Sequence, residues 1–244
     1  DAIDQLTSTA ASHQRTFVVE VMGRHCGYLP LMAAVAGGAD YVFTPEDPAG
    51  PGWQDDLAEH LRVGREAGRR ESIVLVAEGA HDRDGNELST QLIADTIQER
   101  TGEDARVTIL GHVQRGGTPS AYDRWMSTLL GYAAVQEILA SSAEDEPVIL
   151  GVRRNRITRV PLMKAVHDTR AVKDLIAAGD YAAAQASRGS SFSSMVGINQ
   201  ILSTPPQLTP EPTGESQRVA ILHAGGLAPG MNTAARVAVR LGIA

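Results

Sequence analysis

The sequence of 244 residues is poor in cysteine and lysine and contains no long apolar run. Cys26 is the only cysteine, so no disulfide can form within the chain, which is typical of proteins from a reducing compartment. No apolar stretch reaches the roughly 20 residues that a membrane span requires. Residues 1–4 lack the basic start and the apolar core of a signal peptide. We therefore expect a soluble, cytoplasmic protein without a membrane partner.

An excess of positive charge is also absent. The formal net charge is -7 and the pI is about 5.5, which argues against a nucleic-acid partner because such binding needs a basic face. Lys164 and Lys173 are the only lysines among 22 basic residues, so 22 - 2 leaves 20 arginines. Arginine suits bidentate phosphate binding, but a compositional bias of the whole genome also explains such a count. The position of each arginine, rather than the number, must identify the functional ones.

Apolar strand segments alternate with helical patterns along the first 150 residues. Strands are predicted at residues 16–22, 41–44, 72–77, 107–110 and 148–152. Helices are predicted between them, near residues 29–35, 54–67, 90–100 and 121–140. Near-continuous apolar strands separated by helices indicate an α/β fold with a parallel sheet covered by helices on both faces.

The pattern changes after residue 160. Residues 161–186 predict two helices with a break at 178–180. Residues 203–217 contain four prolines and predict a linker. A new strand at 218–223, a turn at Gly225-Gly226 and a helix at 231–241 follow. This order predicts a domain over 1–202, a linker over 203–217 and the first βα unit of another domain over 218–244.

Polar and charged residues directly follow three of the predicted strands. Met22, Gly23 and Arg24 follow the first strand, Glu78 follows the third, and the segment from His112 to Arg115 follows the fourth. Because the carboxyl ends of parallel strands meet at the edge of the sheet where ligands bind, we expect these groups to lie together. Cations hold phosphate, whereas a carboxylate accepts hydrogen bonds from hydroxyl groups. The sequence therefore predicts a site for a phosphorylated polyol.

Several of these residues also have a purely structural interpretation. Gly116-Gly117 fits a positive-φ turn before a helix that Ser120 caps, with Asp123 three residues on. A single histidine such as His112 is more often buried and hydrogen-bonded than bound to a ligand. Glu46, at another strand end, fits a structural role better than the binding of an effector. No histidine pair has metal-ligand spacing, so no metal site is predicted.

Four segments together resemble a known family. They are Ser-His-Gln-Arg at 12–15, Val-Val-Glu-Val-Met-Gly-Arg-His-Cys-Gly-Tyr-Leu at 18–29, Ala-Glu-Gly at 77–79, and residues 106–124. In order and spacing they resemble ATP-dependent 6-phosphofructokinase, from residue 1 to about residue 195. The segments 159–163 and 188–192 resemble the eukaryotic type, whose subunit is a tandem duplication. The resemblance implies the phosphofructokinase fold, a three-layer αβα arrangement of which this sequence holds a part.

The resemblance also implies a role for each site residue. The fructose 6-phosphate site would be lined by Met22, Gly23, Arg24, Glu78, His112, Val113, Gln114 and Arg115. Arg24 would lie toward the phosphate in transfer, Glu78 would accept from sugar hydroxyls, and the segment 112–115 would hold the 6-phosphate. Arg15 and Arg106 match arginines that the family contributes to the site of a neighbouring subunit. The full enzyme would then be a homo-oligomer, a tetramer, with allosteric small-molecule effectors.

The family's ATP-binding and catalytic segments have no counterpart upstream of Arg15 in this sequence. A Gly-Gly-Asp turn and a Thr-Ile-Asp-Asn-Asp segment, which carries the catalytic base, are both missing, so no catalytic or metal-binding residue is assigned. ATP and Mg²⁺ would be bound in the full enzyme by residues upstream, and the 244 residues alone are predicted to be inactive. Residues 222–232 resemble the Gly-rich turn but carry Leu227 in place of Asp, which fits a regulatory half.

Two alternatives remain open. A pyrophosphate-dependent phosphofructokinase would share the fold and differ in the donor, whose selecting residues would lie upstream. A non-catalytic regulatory or binding subunit would retain the sugar-phosphate site and lack the catalytic aspartate. An unrelated sugar-phosphate-binding domain fits poorly, because four motifs match in order.

Overall fold

The computed structural model describes residues 1–153, 155–205, 218–226 and 228–242. The chain divides into two compact units. The first unit contains residues 1–111 together with the described residues from 188 onward, and the second contains residues 112–187.

The first unit is built around a parallel sheet. Its strands are β1 (Thr16–Val21), β2 (Tyr41–Phe43), β3 (Ser72–Ala77) and β4 (Ala105–Ile109). Four helices alternate with them, namely α1 (Ala2–His13), α2 (Tyr28–Gly37), α3 (Trp53–Glu66) and α4 (Thr90–Thr101). The strand order is β2-β3-β1-β4, and every neighbouring pair is parallel. The predicted parallel α/β sheet is confirmed.

The side chains of the sheet alternate between its two faces and enter two separate cores. Val18, Val74 and Val76 pack with residues of α3 and α4. Val19 and Leu75 point the other way and pack with residues of α1 and α2. Successive residues of a strand face opposite sides of the sheet, so a strand that is buried on both faces must be apolar throughout. The sheet is therefore the middle of three layers.

The second unit combines helices with a two-stranded sheet. Its elements are α5 (Ala121–Ala140), β5 (Val148–Arg153), β6 (Arg156–Pro161), α6 (Leu162–Ala177) and α7 (Tyr181–Ser187). The two strands are antiparallel, and Val148 pairs with Pro161. Asn155, which directly precedes β6, has φ 60, a conformation that asparagine tolerates better than most residues. An ion pair between Arg159 and Glu137 connects β6 to α5.

Two further helices, α8 (Ser190–Ser203) and α9 (Met231–Gly242), complete the first unit. Arg69 donates to the Ser203 carbonyl oxygen at 2.6 Å and pairs with the carboxylate of Asp40. Arg240 of α9 donates to the carbonyl oxygens of Ile201, at 2.9 Å, and of Thr204. The last carbonyl groups of a helix have no partner within the helix, and two arginines bind them here.

Two predictions about strands are wrong. β5 belongs to no parallel sheet among the described residues and pairs instead with β6, which the sequence pattern does not indicate. Residues 218–223 form no strand, and the side chains of Val219 and Leu222 are 83% and 92% exposed. A strand needs a neighbour to bind its backbone N–H and C=O groups, and no described strand pairs with this segment.

The other predictions for the carboxyl-terminal third are confirmed where the structure describes them. The break at 178–180 separates α6 from α7, and the helix predicted at 231–241 is α9. Most of the predicted linker, residues 206–217, lies outside the described residues, as does Leu227. The division into two domains at the linker stays a prediction. Among the described helices, none has both the length and the apolar character to cross a membrane.

Candidate functional site

Met22, Gly23, Arg24 and Glu78 directly follow β1 and β3 at the carboxyl edge of the parallel sheet. β1 lies between β3 and β4, and the register pairs Val21 with Ala77 and Glu20 with Ile109. The backbone N–H of Glu78 donates to the Val21 carbonyl oxygen at 2.9 Å. The chain therefore leaves β1, β3 and β4 at one edge of the sheet, where open α/β sheets bind their ligands.

The loop after β1 touches the loop after β3. A Cβ atom added to Gly79 would lie 1.8 Å from the Arg24 carbonyl oxygen, so only glycine allows the two backbones to approach this closely. Within the first loop, the Cys26 N–H donates to the Gly23 carbonyl oxygen at 3.3 Å and closes a turn. The contact between Gly79 and the Arg24 carbonyl oxygen brings the segment Met22–Arg24 next to the segment that carries Glu78.

The side chains of Arg24 and Glu78 are both exposed, and neither forms a hydrogen bond or an ion pair with any residue in the described part of the chain. A guanidinium and a carboxylate at one sheet edge that do not bind each other are both available to a ligand. The guanidinium binds phosphate, and the carboxylate accepts hydrogen bonds from hydroxyl groups. This combination matches a sugar phosphate better than either charge alone.

Glu20 adds a second acidic group to this edge, which the sequence analysis does not identify. Its pKa is raised, first by partial burial and then by the negative charges of Glu78 and Glu87. The signal for it is a single charged residue within the apolar strand Thr16–Val21. These carboxylates repel phosphate, so the surroundings of Glu78 favour hydroxyl groups over phosphate groups.

The remaining residues that are predicted to bind the sugar phosphate belong to the second unit. A short 3-10 helix spans Gly111–Arg115 directly after β4, and the boundary between the units falls between Gly111 and His112. The side chains of His112, Val113 and Arg115 are exposed, and Gln114 is partly buried. That these residues meet Arg24 and Glu78 around one ligand stays a prediction.

The structural interpretation of the Gly116-Gly117 segment is confirmed. Gly117 has φ 102, and the next helix begins with a capping box. The Asp123 N–H donates to the Ser120 hydroxyl at 3.2 Å, and the Ser120 N–H donates to the Asp123 carboxylate at 2.8 Å. The Ser120 hydroxyl also donates to the Asp123 carboxylate at 2.8 Å, and this hydrogen bond, followed by the one from the Ser120 N–H, lowers the pKa of Asp123. A well-defined start of α5 is compatible with ligand binding by the residues just before it.

Arg15 and Arg106 lie at the opposite edge of the sheet. Arg15 precedes β1, and Arg106 pairs with Phe17 near the start of both strands. Both side chains bind Asp104, at 3.0 Å from Arg15 and 2.9 Å from Arg106. Five residue steps of about 3.3 Å place this edge about 16 Å from the end of β1. Within one chain, the two arginines are therefore remote from Arg24.

Glu46 has the structural role that the sequence analysis favours for it. Its side chain is 0% exposed, and it accepts hydrogen bonds from the Gly27 N–H at 2.8 and 3.1 Å. Arg188 Nε donates to the same carboxylate at 2.8 Å. A carboxylate with these buried partners is not open to an effector. The pairing of Glu46 with Arg188 has no local sequence signal, because 142 residues separate them.

The described residues contain no group of three or more His, Cys, Asp or Glu side chains that are placed to hold a metal ion. They therefore provide no fit for the Mg²⁺ that the family resemblance implies.

Comparison with known proteins identifies the family. The family model described as phosphofructokinase matches residues 1–138, which is more than half of the chain. The chain belongs to the phosphofructokinase family. This match includes every residue predicted for the sugar-phosphate site.

Individual relatives extend the similarity to nearly the whole chain. An ATP-dependent 6-phosphofructokinase of Aspergillus fumigatus is 45% identical over 242 residues, which cover 98% of this chain and 30% of the relative. The liver-type enzyme of Bos taurus is 44% identical over 243 residues, which cover 100% of this chain and 31% of the relative. The chain thus spans less than a third of the length of these relatives.

Solved structures agree with this assignment. The phosphofructokinase of Saccharomyces cerevisiae matches with a TM-score of 0.79 and 43% identity, over 82% of this chain and 27% of that one. A pyrophosphate-dependent phosphofructokinase of Nitrosospira multiformis matches with a TM-score of 0.54 and 21% identity, over 67% of this chain and 44% of that one. The second likeness shows a shared fold alone.

Proposed function

We propose that this chain forms the sugar-phosphate-binding part of an ATP-dependent 6-phosphofructokinase. The complete enzyme transfers the γ-phosphate of ATP to the 1-hydroxyl of fructose 6-phosphate and releases fructose 1,6-bisphosphate and ADP. The observation that carries the proposal is the pair of exposed, unbound groups, Arg24 and Glu78, at the carboxyl edge of the sheet. Relatives that are 44–45% identical over this chain bear the name of that enzyme.

Each part of the site would contribute a separate interaction with the sugar phosphate. Arg24 approaches the phosphate in transfer, while Glu78 accepts hydrogen bonds from sugar hydroxyls. His112 and Arg115 bind the 6-phosphate, and each charge-assisted hydrogen bond contributes about 1.5–3 kcal/mol. Four such groups fix the position of the sugar, which is the main requirement for phosphoryl transfer between two bound substrates.

The catalytic base, the ATP site and Mg²⁺ are assigned to the rest of the enzyme. None of the segments that would carry them occurs in this sequence, and the described residues offer no cluster for a metal ion. The 244 residues alone would therefore bind fructose 6-phosphate without phosphorylating it. The complete enzyme would act in the cytoplasm as a homo-oligomer, a tetramer, under the control of small-molecule effectors.

The position of Arg15 and Arg106 supports a site shared between subunits. Both arginines lie about 16 Å from the carboxyl edge of their own sheet, beyond the reach of a side chain. We propose that Arg15 and Arg106 of each subunit enter the site of a neighbouring subunit. Asp104, which binds both side chains, would hold them in place for the partner's ligand.

An assay of the full-length gene product tests the proposal. Formation of fructose 1,6-bisphosphate would be measured with fructose 6-phosphate and either ATP or pyrophosphate as the donor. We expect turnover with ATP. Turnover with pyrophosphate alone would identify the other donor class, and binding without turnover would identify a non-catalytic subunit. Either result would contradict the proposed activity.

Two substitutions test the binding residues within the same assay. Arg115→Ala and His112→Ala should each raise the KM for fructose 6-phosphate, because each removes a charge-assisted hydrogen bond to the 6-phosphate. Arg62→Ala is the matched control, since Arg62 binds the neighbouring Glu59 and Glu66 on the exposed face of α3. A KM that stays at the control value in both site variants would refute the assignment.

A further inference from the structure

The loop that carries Arg24 is bound to a buried ion pair on the side away from Glu78. Glu46 is fully buried, and its two carboxylate oxygens accept hydrogen bonds from the Gly27 N–H. Arg188, whose side chain is 15% exposed, donates Nε to Glu46 at 2.8 Å and a terminal nitrogen to the His25 carbonyl oxygen. One arginine therefore connects the buried carboxylate to the backbone of the loop.

Burial prevents Glu46 from touching a substrate directly. A carboxylate without access to water is stable only while its partners remain, because an unpaired buried charge is strongly destabilising. Its partners include the loop backbone at Gly27 and the guanidinium of Arg188. Any effect of Glu46 on ligand binding must therefore pass through the position of the loop.

The backbone of the loop is tightly packed at both of its ends. A Cβ atom on Gly27 would lie 2.5 Å from the Thr44 Cβ, so the loop lies directly against the segment that carries Glu46. At the other end, the Arg24 carbonyl oxygen lies against Gly79. The backbone of Arg24 thus makes one of these two contacts, while its side chain is exposed. Loss of either contact allows the loop to move.

An aromatic contact adds to the same attachment. The ring of Phe192, which is 1% exposed, stacks on Tyr28 with the ring centroids 6.5 Å apart. Tyr28 is the first residue of α2, directly after the loop. The segment Arg188–Phe192 thus holds the loop by the hydrogen bond from Arg188 to the His25 carbonyl oxygen and by a stacked ring at the end of the loop, while Glu46, the ion-pair partner of Arg188, holds Gly27.

We infer that the Glu46–Arg188 pair is a positioning element for substrate, which fixes the loop of residues 22–27 so that Arg24 meets the phosphate that is transferred to the sugar. This inference rests on the proposed function for the identity of the ligand. The attachment of the loop itself rests on the contacts alone.

Two conservative variants of the full-length gene product test the inference. Arg188→Lys keeps the charge and removes the planar group that reaches both Glu46 and the His25 carbonyl oxygen. Glu46→Asp keeps the charge and shortens the side chain that reaches Gly27. Arg65→Lys is the matched control, because Arg65 forms a comparable two-nitrogen pair with Glu103 at the opposite edge of the sheet.

The kinetic readout separates positioning from general loss of structure. Both variants should lower kcat/KM for fructose 6-phosphate about tenfold, because a small displacement of a positioned group is costly. The KM for ATP should stay unchanged, since the ATP site lies outside this loop. In parallel, hydrogen exchange of the peptide that contains Gly27, and alkylation of Cys26, should become faster in both variants and stay slow in Arg65→Lys.

The outcomes distinguish this inference from the proposed function. If exchange of the loop and kcat/KM in both variants equal those of Arg65→Lys, the positioning role is overturned. If the wild-type protein does not phosphorylate fructose 6-phosphate, the proposed function fails, and exchange of the loop decides the inference alone. Faster exchange in both variants then supports an attached loop, and unchanged exchange overturns it.

Discussion

Gly79→Ala tests the contact that brings the two loops of the site together. Gly79 lies next to Glu78, and an added Cβ would lie 1.8 Å from the Arg24 carbonyl oxygen. Its φ is outside the left-handed region, so alanine is compatible with the backbone and only the space is missing. The substitution therefore pushes the loop of Arg24 away from Glu78 without another change at the site.

The structure sets the size of the expected effect. Ordinary contact begins near 3.4 Å, so the Arg24 carbonyl oxygen must move by about 1.5 Å. Overpacking of this kind lowers the free energy of unfolding by about 1–3 kcal/mol. A displacement of about 1 Å in a positioned group lowers the rate by about 100-fold. We therefore expect kcat/KM for fructose 6-phosphate to fall about 100-fold, while the KM for ATP is unchanged.

The measurement is steady-state kinetics on the full-length gene product, combined with urea unfolding. Gly197→Ala is the control, because a Cβ there has no neighbour within 4 Å in α8 and alanine favours a helix. If Gly79→Ala retains kcat/KM within about twofold of this control, the close approach does not position the site. The reasoning would then be wrong.

Three further predictions concern other parts of the chain. Burial, and after it the positive charge of Arg69, lowers the pKa of His60. The His60 ring is therefore protonated at a higher pH in the unfolded chain than in the folded chain, and the free energy of unfolding falls as the pH drops below about 6.5. His60→Gln should remove this loss of stability, measured by urea unfolding between pH 7.5 and 5.5. If the free energy of unfolding of the variant and of the wild type depended on pH in the same way, the prediction would be wrong. If sites are shared between two subunits, coexpression of inactive Arg15→Ala and Glu78→Ala chains should restore about a quarter of the wild-type activity, because about one site in four then combines two intact parts. No recovery of activity would argue for a site within one chain. Ser120→Ala should lower the stability of the second unit by about 0.5–2 kcal/mol and speed hydrogen exchange in the first turn of α5, and slow exchange there would show that the cap is dispensable.

The secondary structure was most predictable where the sequence marks both ends of an element. β3 occupies residues 72–77 as predicted, because six apolar or small residues are bounded by charged ones. α5 occupies residues 121–140 as predicted, because Ser120 and Asp123 define its start. Local signals of this kind need no knowledge of the rest of the fold.

The errors occurred where an assignment depends on a partner. β5 has the apolar pattern of an interior strand, but its hydrogen bonds go to β6. The sequence of β6 is hard to recognise as a strand, because arginines at 156 and 159 interrupt its apolar residues. Residues 218–223 have strand-forming side chains and no neighbouring strand among the described residues. Intrinsic preference for a strand does not supply the backbone partners that a strand requires.

The same distinction applies to the site. The edge that carries Arg24 and Glu78 was predictable, because parallel strands bring their carboxyl ends together whatever the loops contain. The attachment of the loop was not, because it joins Glu46 to Arg188 across 142 residues and no local sequence pattern links the two. Groups that face the ligand can thus be recognised by their position after a strand, whereas groups that hold them in place become visible only in the folded chain. For this reason, substitutions at Glu46 and Arg188 test the fold's contribution to binding more directly than substitutions at the ligand-facing residues do.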